Sequence, residues 1–249
     1  MTPFDLTGRV AVITGANTGI GQGIALALAQ AGADIVTVGR SAADETLAML
    51  PDSVRHHDIR ADLSSAAPTA GIVEEAISRM GRIDILVNNA GIIRRADSVD
   101  YTEADWDAVM DTNLKSLFFL AQAAGRTMIA QGSGKIINIA SLLSFQGGIR
   151  IPAYTAAKSG VAGLTRLLAC EWAEKGVNVN AIAPGYIDTN NTTDLRNDPD
   201  RNASILARIP AGRWGKPSDM GGAAVFLASS ASDYINGAVL PVDGGWLAR

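Results

Sequence analysis

Seven short runs of β-branched and aliphatic residues punctuate this 249-residue chain, and six helical stretches separate them. The runs fall at 9–14, 34–38, 54–58, 84–88, 135–139, 177–183 and 238–242. Helical periodicity fills the gaps: a stretch ending at Ala31, then 41–50, about 66–80, 102–130, 152–175 and about 218–229. This alternation constrains the fold more than any other feature. Parallel strands need a crossover, normally a right-handed one through a helix, so the chain predicts a doubly wound α/β fold: a parallel sheet of about seven strands with helices on both faces. With 47% apolar and only 18% charged residues, it can bury such a sheet on both sides. No repeat, linker or low-complexity segment intervenes. One domain over 1–249 is expected, with a polar insertion at about 186–212 bordering a substrate.

Open parallel sheets bind ligands beyond the carboxyl ends of their strands, so the residues just past each run are the candidates. The first run flows into TGANTGIG, where Gly15, Gly19 and Gly21 precede a helix. Few Cβ atoms there let backbone N–H groups and a helix N-terminus face a pyrophosphate. The G-x-x-x-G-x-G spacing is a variant of the dinucleotide fingerprint, and Asn17, Thr18 and Ile20 fall inside it. The fourth run ends in Asn88-Asn89-Ala90-Gly91, small enough for a cofactor to lie close, though equally suited to an ordinary turn. Pro184-Gly185 follows the sixth run, with Thr189 in reach of a carboxamide or phosphate. Ser141 follows the fifth, and its hydroxyl can bond a substrate carbonyl.

The chemistry concentrates in PAYTAAKS, where Tyr154 and Lys158 stand at i and i+4 on one helical face. A phenol ordinarily titrates near about 10. An ammonium one turn away favours the phenolate, lowers that value and makes the tyrosine usable as a general acid or base. Asn113 lies on the apolar stripe Trp106, Val109, Met110, Leu114, Leu117, Phe118. A buried amide must find partners, so it either caps a neighbouring strand or positions a water.

Taken together and in order, TGANTGIG, NNAG, Asn113, Ser141, YTAAK, PGYIDT and the closing VDGGW resemble the short-chain dehydrogenases/reductases over essentially the whole chain. The resemblance implies a single-domain Rossmann-like fold and hydride transfer between a nicotinamide and a secondary alcohol or ketone. It implies Tyr154 as acid/base, Ser141 orienting the carbonyl or alcohol, Lys158 lowering the Tyr154 pKa while holding the nicotinamide ribose, and Asn113 in a proton relay. It also implies that Asp62 and Leu63 border the adenine, and that Asn89, Ala90, Gly91, Pro184, Gly185, Ile187 and Thr189 line the cofactor.

An acidic residue ending the second strand would bind both ribose hydroxyls of NAD. Here Gly39 stands in that place, followed by Arg40 and Ser41. A guanidinium suits a 2′-phosphate, so NADP is expected, with NAD as the alternative. Arg94, Gln146, Arg150, Tyr186, Asn190 and Trp214 are expected to border the substrate, which their chemistry suggests is a small anion. NAGIIRR, LLSFQGGIR, GYIDTNNT, RIPAGRWG and DGGWLAR resemble the 2-deoxy-D-gluconate and 2-dehydro-3-deoxy-D-gluconate dehydrogenase branch of the family, implying a deoxy sugar acid. That branch is commonly NAD-linked, so Gly39-Arg40 is a departure from it. A reductase of acyl thioesters or other carbonyls would share every motif above. A non-catalytic nucleotide-sensing module would not need Ser141, Tyr154 and Lys158 together.

The formal charge of −4, with no run of Lys or Arg, argues against nucleic acid or an anionic membrane as partner. No apolar run approaches the roughly 18 residues of a bilayer span, and MTPFDLTGR lacks a signal-peptide pattern, so a cytoplasmic protein is expected. His56 and His57 are adjacent on a strand and diverge, which supports neither a metal site nor a Ser-His-Asp system. Cys170, within LLACEW, reads as a buried small hydrophobe. The helices at 102–130 and 152–175 are apolar around much of their circumference, as at Leu164, Leu167, Leu168 and Trp172. That surplus, with the resemblance, implies a homotetramer.

Overall fold

The computed structural model describes residues 2–249, and its seven strands form one parallel sheet in the order β3-β2-β1-β4-β5-β6-β7. They are β1 (Val10–Thr14), β2 (Asp34–Gly39), β3 (His56–Arg60), β4 (Ile85–Asn88), β5 (Gly134–Ile139), β6 (Val177–Pro184) and β7 (Val239–Val242). The helices are α1 (Gly19–Gln30), α2 (Asp44–Ala48), α3 (Thr69–Met80), α4 (Glu103–Met110), α5 (Ser116–Gln131), α6 (Pro152–Trp172), α7 (Thr193–Asn197), α8 (Pro199–Leu206) and α9 (Gly221–Ala228). Side chains alternate across each strand and so divide the core in two. Ala11, Ile13, Ile35, Ile137 and Ile182 pack against α1 and α9, while Val10, Val12, Val36, Ile136 and Val179 pack against α3, α5 and α6.

The strand order reverses between β1 and β4, which opens a crevice beyond their carboxyl ends. Side chains stitch its floor. Thr14 Oγ1 accepts from the Asn89 and Ala90 amides, each at 2.9 Å. Asn89 Nδ2 in turn donates to the Thr14 and Gly15 carbonyls at 2.9 and 3.1 Å. A buried chain of hydrogen bonds runs deeper: Asn88 Nδ2 to Asn138 Oδ1 at 2.9 Å, Asn138 Nδ2 to Thr165 Oγ1 at 3.0 Å, and Thr165 Oγ1 to the Val161 carbonyl at 2.8 Å. It ties β4, β5 and α6 into one unit.

Three expectations are corrected. The helix expected at 102–130 is broken by a π-helical turn, Asp111–Lys115, where the Ser116 amide donates to the Asp111 carbonyl. The wider turn carries Asn113, whose amide is committed to the neighbouring loop. β3 begins two residues late, because the Val54 amide closes a turn onto Pro51 and Asp34 takes the Arg55 amide. The insertion at 186–212 carries α7 and α8. Cys170 is exposed: on α6 the inward positions are Val161, Ala162, Thr165, Leu168, Ala169 and Trp172, and Cys170 points away from them.

Gly21 sits where α1 passes under the β1 loop, and a Cβ there would run into the Gly15 carbonyl oxygen and lie 2.5 Å from Asn89 Nδ2. Overpacking of this kind costs about 1–3 kcal/mol. Gly21→Ala is therefore expected to lower the melting temperature by roughly 2–12 °C for a domain of this size. A thermal melt checks this, and an unchanged melting temperature contradicts the close packing.

Candidate active site

Two cavities meet over the crevice. The smaller, about 330 Å³, is lined by Gly15, Asn17, Thr18, Gly19 and Ile20 from the β1–α1 turn, and by Asn89, Ala90 and Gly91 after β4. Lys158, Thr189 and Asn190 close its other side. The larger, about 440 Å³, lies under α7 and α8 and includes Ser141, Gln146, Tyr186, Ser204 and Trp246. Ile93, Tyr154 and Asn191 line both. The phenol of Tyr154 therefore belongs to the junction.

The smaller cavity fits a dinucleotide phosphate. α1 has no acidic residue in its first turn and its N-cap, Thr18, makes no side-chain cap, so the amides of that turn are left to an external anion. Gly19 takes a φ of +58°, which favours glycine, and faces the Thr189 methyl. Gly21 lies beneath the turn rather than in the wall.

The reacting groups are positioned by α6. Pro152 opens the helix, as suits a first-turn residue with no amide to satisfy, and Tyr154 follows in the same turn. Lys158, one turn on, is only 4% exposed; its Nζ donates to the Ile139 carbonyl at 2.6 Å and lies 5.6 Å from the Tyr154 ring centre. Burial pulls the ammonium down to about 8. Burial pushes the Tyr154 phenol up, while the Ser141 hydroxyl and the Arg95 charge oppose that rise. Ser141 and Arg95 thus join Lys158 beside the phenol, while the Lys158 Nζ itself is held by the Ile139 carbonyl. Ser141 itself caps the 3-10 turn Leu142–Ser144, its Oγ accepting from the Leu143 amide at 3.2 Å. Asn113 is buried and doubly engaged: Oδ1 accepts from the Ile92 amide and Nδ2 donates to the Ile92 carbonyl, both at 2.8 Å.

Other expected site residues scatter. Pro184 and Gly185 line the larger cavity rather than the smaller, and Ile187 is buried, bridging to Gly215 outside both. Arg40, Ser41, Asp62 and Leu63 stand past the ends of β2 and β3, outside both cavities. There Arg60 Nη2 donates to the Arg40 carbonyl, and a hydrogen bond from the Ser64 amide holds Asp62 below the usual carboxylate range, with Arg40 adding to it.

Three substrate expectations are corrected. Arg94 turns to Asp105 at 3.5 Å, Arg150 pairs with Asp97 at 3.0 Å, and Trp214 donates from Nε1 to Asn202 at 2.8 Å; none lines the cavity. Asn190 lines the smaller cavity instead. In their place stand Arg95, Arg201, Arg208 and Trp246. The signal for two of them was present: Arg201, Ser204, Ile205 and Arg208 follow i, i+3, i+4, i+7 spacing after Asp198-Pro199, a capped helix start. Among the described residues no group of three or more His, Cys, Asp or Glu is placed to hold a metal ion, and no helix is long and apolar enough to cross a membrane.

A family profile described as "Enoyl-(Acyl carrier protein) reductase" matches residues 15–247. The chain belongs to the short-chain dehydrogenase/reductase family. It is 58% identical to the 2-dehydro-3-deoxy-D-gluconate 5-dehydrogenase of Escherichia coli (strain K12), over 100% of this chain and 99% of that one. A solved protein of Agrobacterium tumefaciens with bound NADP is 60% identical, with a TM-score of 0.94 over 100% of both chains. A gluconate 5-dehydrogenase of Burkholderia cenocepacia, solved in complex with NADP and tartrate, is 42% identical, with a TM-score of 0.92 over 99% and 98% of the two chains. Like other short-chain dehydrogenases/reductases, this protein is an oxidoreductase that uses a nicotinamide cofactor.

The buried lysine sets a pH dependence in this short-chain dehydrogenase/reductase. Its folded value of about 8 lies below its ordinary 10.5, so between them the unfolded chain holds more protons. Below about 8 both states are charged and the burial penalty is complete; above it, stability contributed by this group rises with pH. The stability of wild type relative to Lys158→Met is therefore expected to increase between pH 8 and pH 10, as read by denaturant unfolding. A flat or falling difference contradicts the buried ammonium.

Proposed function

We propose that this enzyme transfers a hydride between a nicotinamide dinucleotide and a secondary alcohol or ketone of a sugar acid, such as 2-deoxy-D-gluconate or 2-dehydro-3-deoxy-D-gluconate. The observation that carries the reading is the junction: Tyr154 stands in the wall of both the cavity over the glycine turn and a cavity whose charged side chains, among the described residues, are all arginines. The relatives named as acting on gluconate derivatives support the same substrate class. The segment at 186–212, through α7 and α8, serves as the substrate-binding insertion.

Bound nicotinamide supplies or accepts the hydride. Ser141 Oγ orients the substrate oxygen, and Tyr154 takes its proton in the oxidative direction or returns it in the reductive one. Lys158, fixed by Ile139 in the wall of the smaller cavity, would hold the cofactor ribose, and a cationic neighbour at that point would lower the cost of forming phenolate. Asn113 holds the Ile92 backbone and so the wall at Ile93, in the position of the family's relay asparagine.

For the cofactor we favour NADP. Arg40 follows Gly39 at the end of β2, where no carboxylate is available for a ribose diol, and Arg60 lies beside it on β3. The protein is proposed to be cytoplasmic and to work as a homotetramer on a small anion, with no role for nucleic acid or membrane. Exposed Trp106, Phe119 and Leu167 on α4, α5 and α6 give such an assembly an apolar surface to cover.

Tyr154→Phe is expected to abolish turnover of a sugar acid while leaving NADP(H) affinity within a few-fold, measured by steady-state kinetics and fluorescence titration. Near-normal turnover would remove the mechanism. A panel of aldonates, ketoaldonates, polyols and acetoacetyl thioesters decides the substrate class, and preference for the thioester would overturn the sugar-acid reading.

Wild type should reduce substrate faster with NADPH than with NADH, and Arg40→Asp should reverse that order. A clear NADH preference in wild type rejects the cofactor assignment.

A further inference from the structure

Arginines on the rim of the larger cavity fall into two sets. Arg94, Arg150, Arg196 and Arg213 pair with Asp105, Asp97, Asp188 and Asp219 at 3.5, 3.0, 2.7 and 2.7 Å, and none of the four lines the cavity. Arg95, Arg201 and Arg208 line it, and among the described residues none has an acidic partner within salt-bridge distance. No aspartate or glutamate lines the cavity. Its field is therefore positive and its guanidinium donors are not committed to internal carboxylates.

The three stand at different ends. Arg95 Nη2 donates to the Asn191 carbonyl at 3.1 Å, and Asn191 lines both cavities, so Arg95 belongs to the junction where Tyr154 stands. Arg201 and Arg208 lie seven residues apart on and just past α8, on one helical face, and line only the larger cavity. Arg208 stands over an indole, with Cζ 4.0 Å from the Trp246 ring centre, and that ring is 4.7 Å from the Tyr186 ring. Trp246 is fixed in turn by Nε1 donating to Gln146 Oε1 at 3.2 Å. A guanidinium anchored by an indole, with no acidic partner of its own, has donors left for bidentate hydrogen bonds to a carboxylate. The electrostatics agree: burial raises both phenols, and the charge opposing it is that of Arg95 at Tyr154 but of Arg201 and Arg208 at Tyr186.

We propose that Arg201 and Arg208 clamp the substrate carboxylate at the α8 end of the cavity, so that Tyr154 acts on a carbon remote from that carboxylate rather than on the carbon beside it. The inference rests on the sugar-acid reading and adds its polarity. A 2-hydroxy acid oxidised at its own hydroxyl would need its carboxylate at the junction, beside Arg95. A six-carbon acid held at α8 instead presents its far hydroxyls to Ser141 and Tyr154.

The test uses the full chain with Arg201→Gln, Arg208→Gln and Arg95→Gln, each checked by thermal melt. kcat and KM are measured on a six-carbon aldonate and on its primary amide, and NMR identifies the ketone formed. Arg201→Gln and Arg208→Gln should each lower the acid-to-amide ratio of kcat/KM by about 100-fold, chiefly through the KM of the acid. The wild-type product should carry its ketone on a carbon remote from the carboxylate. A ratio that falls only in Arg95→Gln, a ratio unchanged in both α8 variants, or a ketone at C2 would overturn the clamp while leaving the sugar-acid reading intact. Failure of wild type to turn over any polyhydroxy acid would remove that reading and the clamp with it.

Discussion

A lysine ammonium buried beneath a helix has to be held by something, and here the Ile139 carbonyl holds it at 2.6 Å. An unpaired charge at that depth is costly enough to expel the side chain or strip its proton. The hydrogen bond fixes α6 against the carboxyl end of β5, and the Asn88–Asn138–Thr165 chain fixes it again one layer deeper. With α6 immobile, Tyr154 can stand only at the mouth of the crevice, and Ser141, two residues past β5, stands beside it. The ammonium is still strained by its burial, as its depressed value of about 8 records. That strain suits a site completed by a polar ligand, since functional sites are where buried charge is left incompletely compensated.

Local and periodic features were legible in the sequence for a physical reason: each is set by residues close together along the chain. Strand runs, glycine turns and the i, i+4 relation of Tyr154 to Lys158 are of this kind. Asn113 was legible as a buried amide, yet its partner, the Ile92 backbone, and the π-helical turn that delivers it were not. A π turn needs one extra residue in a helix, and nothing in a periodic stripe marks where it falls. Thr14 carries no signal in sequence because a threonine ending a strand is ordinary, whereas here its hydroxyl gathers two amides from the loop after β4. Cys170 shows the opposite limit: an apolar neighbourhood in sequence suggests burial, but the helical phase turns the thiol outward.

Charge pairing was the least legible property. Arg94 and Arg95 are neighbours in sequence, but one is neutralised by Asp105 and the other faces the cavity. Which of two adjacent arginines is free depends on where α4 puts an aspartate, a tertiary fact. The same holds for Arg150, whose φ of +64° swings it to Asp97 and away from the loop that carries Gln146. Sequence could count the cations near the pocket but could not sort them.

This sorting separates chemistry from recognition. Ser141, Tyr154 and Lys158 are held by β5 and α6, deep in the sheet's own architecture. Arg201 and Arg208 ride on a segment attached through the Ile187–Gly215 bridge and the Arg196–Asp188 pair, and it packs on a small separate cluster of Leu142, Ile205, Ile209 and Trp246. A change in α8 can therefore alter which anion is accepted without disturbing the groups that move the proton. Within that segment the coupling that remains runs through Asn191, which lines both cavities and lends its carbonyl to Arg95. Together with Thr189 and Asn190, which line only the smaller cavity, it makes the substrate segment and the dinucleotide end share a wall, so the two sites are separable in specificity but not in geometry.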